Sequence, residues 1–323
     1  MTRPDGDGDG DGEVIGPAAA TTPRPAWVAT WRLDPASAAM LGAAALMASM
    51  GALVHLVGDR SDWLVVALIR TLIMMATATA LVRAAGVPLA IWRPRSLWVR
   101  SLAGSFSLVC NFFALAHLPV ADAVTLSNMH PLWIVLLTAA TLRRWPALVE
   151  LAGVASGLLG VILVERPDVA HAQGLAVAVA LMSSVSTAVA MLGLHRLKGV
   201  DTRAVVAHFA GVASAVAAAW LVLRWGRLTP TRVDPATIAL LLGVGVLGTL
   251  GQILLTRAYA SATPSRVAVV GLTQVVFAMG FDVAIWGRTL DPLTLLGFAL
   301  VLAPTTWLSL RSARKSVLAG SGE

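Results

Sequence analysis

Residues 101–141 read SLAGSFSLVCNFFALAHLPVADAVTLSNMHPLWIVLLTAAT. Asp122 is the one carboxylate in this run, and it holds no Lys or Arg. As a single helix the run would be about 60 Å long at about 1.5 Å per residue, twice the hydrocarbon core of a bilayer. It must therefore fold back on itself. His117-Leu118-Pro119 is the place for the turn, because Pro119 cannot continue a helix. The stretch reads as two antiparallel membrane-crossing helices.

The same reading extends outward in both directions. Ten apolar stretches are expected to span: 37–57, 63–83, 101–117, 120–141, 147–164, 173–194, 204–223, 236–257, 264–286 and 292–310. Hydrophobic residues make up 57% of the 323-residue chain and charged residues 13%, about half the charge of an average soluble domain. That balance excludes an ordinary cytosolic enzyme and a disordered chain. The net charge of +7 does not indicate nucleic acid, since the basic residues sit in short clusters between apolar runs. The single cysteine, Cys110, lies within an apolar run and reads as a small buried side chain.

Lys and Arg set the expected topology. With the N-terminus inside, seventeen of the 24 basic residues fall on the cytoplasmic side, six on the other, and Arg70 lies within a span. Both termini are thus expected in the cytoplasm of a plasma (inner) membrane protein. Arg100 is counted among the cytoplasmic charges, and the 224–235 loop carries three Arg against the trend. Trp63, Trp92, Trp98, Trp145, Trp225, Trp286 and Trp307 fall near span ends, where an amphipathic ring prefers the interface; Trp133 falls mid-span. Residues 1–36 are polar, with no cleavable signal peptide evident, and read as a disordered cytoplasmic tail. The spacing of Asp5, Asp7, Asp9 and Gly10 imitates a calcium loop, but position 12 is Gly16 instead of the chelating Glu. Residues 311–323 read as a second tail.

Ten spans divide into five and five. A shift of 144 residues aligns the halves over about 104–159: Gly104 meets Gly248, Ala114 meets Ala258, and Gly153 meets Gly297. Five is odd, so the second copy enters the membrane from the opposite side. The expected fold class is an all-α integral membrane protein of ten transmembrane helices, arranged as two inverted five-helix repeats over 37–165 and 173–310. Repeats of this kind are common in secondary transporters, with the substrate near the midplane. Gly153 and Gly157, and Gly243, Gly245, Gly248 and Gly251, read as close helix contacts.

Three stretches carry a resemblance to the EamA branch of the drug/metabolite transporter superfamily. They are ALAHLPVADAVTLSNMHPLW (114–133), the glycine-rich ELAGVASGLLGVILV (150–164) and TRAYASATPSRVAVV (256–270), and Arg70 in the second span adds to them. The likeness covers about 37–311. It implies a ten-helix bundle of inverted five-helix repeats that moves small metabolites, usually outward. No cofactor is expected. The family often has Gly-Glu after the fourth and ninth spans. Here Leu142-Arg143-Arg144 and Gly287-Arg288 stand there, so no role of that acid carries over.

Polar residues within spans are few, because a charge at the bilayer centre costs roughly 2.5–3.5 kcal/mol on insertion scales. Arg70, Asn111, Asn128, His130, Trp133, Gln252 and Gln274 are the expected substrate-binding residues. Asp282, Arg257 and Tyr259 are expected to couple or gate. Arg70 is open to ion pairing as well, with Asp282 as one partner. Pro131 frees the carbonyl of Ser127, which side chains or water must satisfy. His130 is placed to carry a coupling proton, or to bond a neighbouring helix. Trp133 suits a planar ligand or plain packing. Interhelical hydrogen bonding is the alternative for Asn111, Gln252 and Gln274, and an interface anchor is the alternative for Arg257 and Tyr259.

The expected function is a secondary transporter, an exporter of a small organic metabolite or drug acting by alternating access. A non-transporting scaffold and a membrane-embedded enzyme are the competing classes. The sequence holds no G-x-x-x-x-G-K-[ST] and no H-E-x-x-H, and Gly153-Val-Ala-Ser156-Gly misses the spacing of G-x-S-x-G. The expected partners are a small-molecule substrate and membrane lipid, with no nucleic acid, in a monomer or homodimer.

Overall fold

A computed structural model describes residues 34–89, 91–118, 120–142, 147–166 and 174–320. Residues 1–33 of the expected tail, Pro119, Arg143, Arg144 and Trp145 lie outside the described residues, while Pro35 and Ala36 belong to the first helix. Among the described residues twelve α-helices follow in order: α1 (Pro35–Val57), α2 (Trp63–Ala84), α3 (Arg95–His117), α4 (Val120–Ser127), α5 (His130–Leu142), α6 (Leu148–Glu165), α7 (Gly174–His195), α8 (Thr202–Leu223), α9 (Pro235–Ser261), α10 (Pro264–Gly271), α11 (Thr273–Trp286) and α12 (Pro292–Gly320). Among the described residues nine spans are long and apolar enough to cross a membrane, with α4–α5 and α10–α11 each acting as one; Pro292–Trp307 is a shorter apolar helix. The chain is a multi-pass, all-helical membrane protein.

Local chemistry sets the helix starts. Asp34, Asp62, Asp201 and Asp234 each cap a helix through the side chain, accepting from the backbone N–H of Ser37, Leu64, Arg203 and Thr237 respectively. Such caps satisfy donors that no helical carbonyl can reach. Two boundaries differ most from the sequence reading. The third helix begins at Arg95 instead of 101, which draws Arg100 into the bundle. The last helix runs past 310 to Gly320.

Helices alternate between two faces. Loop contacts fix which ends lie together. On the near face, where α1 begins, Arg266 bonds Asp34 and Ser37, and Ser265 bonds Glu150. On the far face Asp62 accepts from Thr229, Ser61 meets Thr231 at 3.0 Å, and Arg166 pairs with Asp291. Each of these contacts joins one half of the chain to the other.

Packing obeys the duplication. Helix α1 packs on α9 as α7 packs on α3; α2 packs on α9 as α8 packs on α3; α2 meets α8, and α6 meets α12. Numbered as ten spans, each of these pairs maps onto another, or onto itself, when five is added to both members. Glycines make the approaches close. A Cβ at Gly245 would stand 2.4 Å from Ile73 of α2, and one at Gly160 would stand 2.6 Å from the carbonyl oxygen of Gly297. Without a hydrophobic force between helices in lipid, such contact is what holds them together.

Candidate functional site

The fourth and ninth spans are both broken. The first break lies between α4 and α5 at Asn128 and Met129, just ahead of Pro131. Here Met129 donates to Leu126 at 3.2 Å and Leu132 to Met129 at 3.1 Å, both the tighter three-residue pattern. The carbonyl of Ser127 is met by Nδ1 of His130 at 3.1 Å, so the proline's local partner is its own neighbour. The second break lies at Leu272, between α10 and α11, and has no proline. Leu272 donates to Val269 at 3.2 Å, and Thr273 Oγ1 takes the carbonyl of Val270 at 2.7 Å. Leu272 stands 144 positions after Asn128, so the two breaks occupy equivalent places.

Around the first break the candidate residues form two contacts across helices. Ser127 Oγ donates to Asn111 Oδ1 of α3 at 2.7 Å, and the indole N–H of Trp133 donates to Ser184 Oγ of α7 at 2.9 Å. Asn128 spends its amide on the carbonyl of Val124 at 2.9 Å. Ser184 belongs to a run of hydroxyls that the sequence reading passed over. Ser107 Oγ of α3 lies 2.5 Å from Thr187 Oγ1 and 3.2 Å from Ser183 Oγ of α7. Spacing can find such a run, since Ser183, Ser184 and Thr187 recur at helical intervals inside an apolar span.

The other half contributes less. Gln252 is buried on α9, its amide 3.5 Å from Thr256 Oγ1. Gln274 is half-buried at the start of α11. Arg257 and Tyr259, near the near-face end of α9, part company. Arg257 is exposed, while Tyr259 is 1% exposed and packs among Met40, Leu97 and Leu194. Tyr259 is thus enclosed by protein and presents no ring face for an anchor at the lipid surface.

Two charged residues depart from expectation. Arg70 does not pair with Asp282. Asp282 takes Nη1 of Arg288 at 3.3 Å, and Nη2 of Arg288 holds the carbonyl of Val164 at 3.1 Å. A partner six residues along the chain reaches Asp282 first. The Nε of Arg70 is buried without a hydrogen-bond partner, against Gly248 of α9. Arg100 is not a surface charge. It is 2% exposed, and its guanidinium lies 4.1 Å from the ring centroid of Phe209. Its Nε and Nη1 are buried without hydrogen-bond partners.

Two cavities, of about 360 and 390 Å³, lie away from these residues. One is between α6 and α12 beside Ser156 and Pro304; the other is between α3 and α8 beside Phe106 and Trp220. Both are lined almost wholly by apolar side chains.

The model of the EamA-like transporter family matches twice, over residues 35–166 and 172–310. A pseudopaline exporter, CntI, of Pseudomonas aeruginosa (strain UCBPP-PA14) is 33% identical over 240 residues, covering 71% of this chain and 80% of its own. An uncharacterized transporter of Helicobacter pylori (strain J99) is 27% identical over 229 residues, covering 69% and 76%. A solved structure matches with a TM-score of 0.73 at 20% identity, covering 88% of this chain and 99% of that one; at that identity it speaks for the fold alone. The chain belongs to the EamA-like transporter family, within the drug/metabolite transporter superfamily.

Proposed function

We propose that the protein is a secondary exporter of a small organic metabolite or drug, working by alternating access and driven by the proton gradient or the solute's own gradient. The observation that carries this reading is the pair of equivalent breaks at Asn128–Met129 and Leu272. Broken helices at membrane depth are tolerated where they are enclosed by protein or line a cavity, and they mark transporter sites. The first broken helix packs on α7 and the second on α1, each from the opposite half. Rocking of one half against the other therefore moves the breaks. Outward transport is proposed by analogy with the Pseudomonas relative, an exporter. The near face is the cytoplasmic one in this reading, since it collects most of the Lys and Arg.

Arg70, Asn111, Asn128, His130, Trp133, Gln252 and Gln274 form the proposed substrate site. Asp282, Arg257 and Tyr259 are the proposed coupling or gating residues. The test is flux in proteoliposomes holding the purified protein, with a panel of amino acids, nucleosides, sugars, cofactors and cationic drugs. Movement of one chemical class, abolished by Asn128→Ala or His130→Ala in protein that still melts cooperatively, supports the reading. A cooperative melt with no flux of any class supports a scaffold instead.

A further inference from the structure

Arg100 and Arg70 are two views of one arrangement. Helices α2 and α8 both start from an aspartate that caps the N–H two residues on, Asp62 and Asp201. Eight residues beyond each cap stand Arg70 and Phe209. Arg70 rests on Gly248 of α9, where an added Cβ would lie 3.0 Å from its Nε. Phe209 rests on Gly104 of α3, at 2.9 Å from an added Cβ. Gly104 and Gly248 are 144 positions apart. The equivalent of Arg70 in the second half is thus an aromatic ring, and Arg100 lays its guanidinium upon that ring.

The direction of Arg100 is the telling feature. It sits in the second turn of α3, close to the near face. Helical side chains lean toward the N-terminus, and here that lean leads to water. An arginine so placed normally snorkels out. Arg100 runs the other way. A Cβ at Gly104, one turn deeper, would stand 2.2 Å from its Nη1. Its backbone is pinned from behind, since a Cβ at Gly193 of α7 would meet Arg100 Cα at 3.3 Å. Among the described residues neither arginine has an ion-pair partner. A buried cation turned inward, with no carboxylate on it among the described residues, is arranged to take a negative charge from elsewhere.

We infer that the transported solute is an organic anion bearing a carboxylate or phosphate group, received by Arg100 on the near-face side and by Arg70 on the far-face side. The inference rests on the transporter reading and names its substrate class. Arg100 becomes a substrate-binding residue. Phe209 holds its guanidinium plane by cation–π contact, and Gly104 leaves the space into which it points.

The test uses full-length protein in detergent. Melting is recorded at fixed ionic strength with sodium acetate, succinate, citrate and phosphate, and with choline chloride as the cation control. A native-state ligand raises the midpoint by mass action. At least one anion is expected to raise it in a concentration-dependent way, and choline is not. Arg100→Met and Arg70→Met are each expected to weaken that anion about tenfold or more, the loss of one charge-assisted contact. Without ligand, Arg100→Met is expected to melt at or above the wild type, because it removes an uncompensated buried charge. Arg100→Lys keeps the charge and is expected to bind the same anion more weakly, so it serves if the Met variant fails to fold. No response to any of the anions overturns the inference. So does an anion response that survives both Met variants, or an unliganded Arg100→Met that melts well below the wild type. Flux in proteoliposomes that is confined to cations or neutral solutes overturns it while leaving the transporter reading intact. Absence of flux for every class overturns the transporter reading itself.

Discussion

Ser156 Oγ of α6 donates to the carbonyl of Leu300 on α12 at 2.9 Å, and the two residues are 144 positions apart. That is the offset of the duplication. Two equivalent positions that touch lie on the pseudo-two-fold axis relating the copies, so the axis passes through the α6–α12 crossing. Gly160 and Gly297, close by, bring the two backbones together.

The crossing admits no added methyl group. Gly160→Ala would put its Cβ 2.6 Å from a backbone oxygen and 2.8 Å from Val301 Cγ2. The backbone cannot move aside as a side chain can. Overpacking of this kind costs about 1–3 kcal/mol. Melting of Gly160→Ala in detergent is expected to fall below the wild type, whereas Gly280→Ala, where a Cβ meets nothing within 4 Å, is expected to change little. Equal effects at the two positions would deny the crossing.

Trp133 and Ser184 tie the broken fourth span to the opposite half. Ser184→Ala leaves the indole N–H without its acceptor, which costs about 1–3 kcal/mol in a buried place. Trp133→Phe removes the donor as well as part of the ring. In a double-mutant cycle the pair is expected to cost less than the sum of the singles. Strict additivity of the melting shifts would mean that the bond carries nothing.

Asp291 caps α12, accepting from the N–H of Thr294 at 2.9 Å, and pairs with Arg166. The Arg166 guanidinium and the Thr294 bonds hold its carboxyl well below the ordinary carboxylate range. A depressed folded-state value stabilises above the unfolded value, about 3.9, and the gain disappears as pH falls through the folded value. Asp291→Asn is therefore expected to lower the melting midpoint at neutral pH, with the gap to the wild type closing only in strong acid. A gap that stayed constant down to pH 2 would refute the assignment.

Proline is not needed for the break at Leu272. Pro131→Ala is accordingly expected to keep the discontinuity at Asn128–Met129, with flux reduced several-fold at most. Hydrogen exchange across 126–132 reads this directly. Protection of the whole segment at the level of a continuous helix would show that Pro131 makes the break.

The spans were legible because each buries an unbroken apolar run, and hydropathy reads that without tertiary information. The break ahead of Pro131 was legible for the same local reason: a missing N–H is visible in the sequence. Leu272 was not, since no proline stands there to mark the place. Arg100 was misplaced because an arginine near a span end reads as a snorkelling charge. Its burial depends on Phe209 from another helix, although Gly104 four residues on was a signal that could have been used. The proposed partnership of Arg70 and Asp282 failed against Arg288, a competitor too near in sequence to look like a tertiary partner.

The two interruptions also separate geometry from chemistry. One carries Asn128, His130 and Pro131; the other has Leu272, Gln274 and Val275 in the equivalent places. A hinge needs only the local loosening of the helix, and both segments have it. The two arms can therefore bend alike while offering unlike side chains, a pair symmetric as a mechanism and asymmetric as a surface.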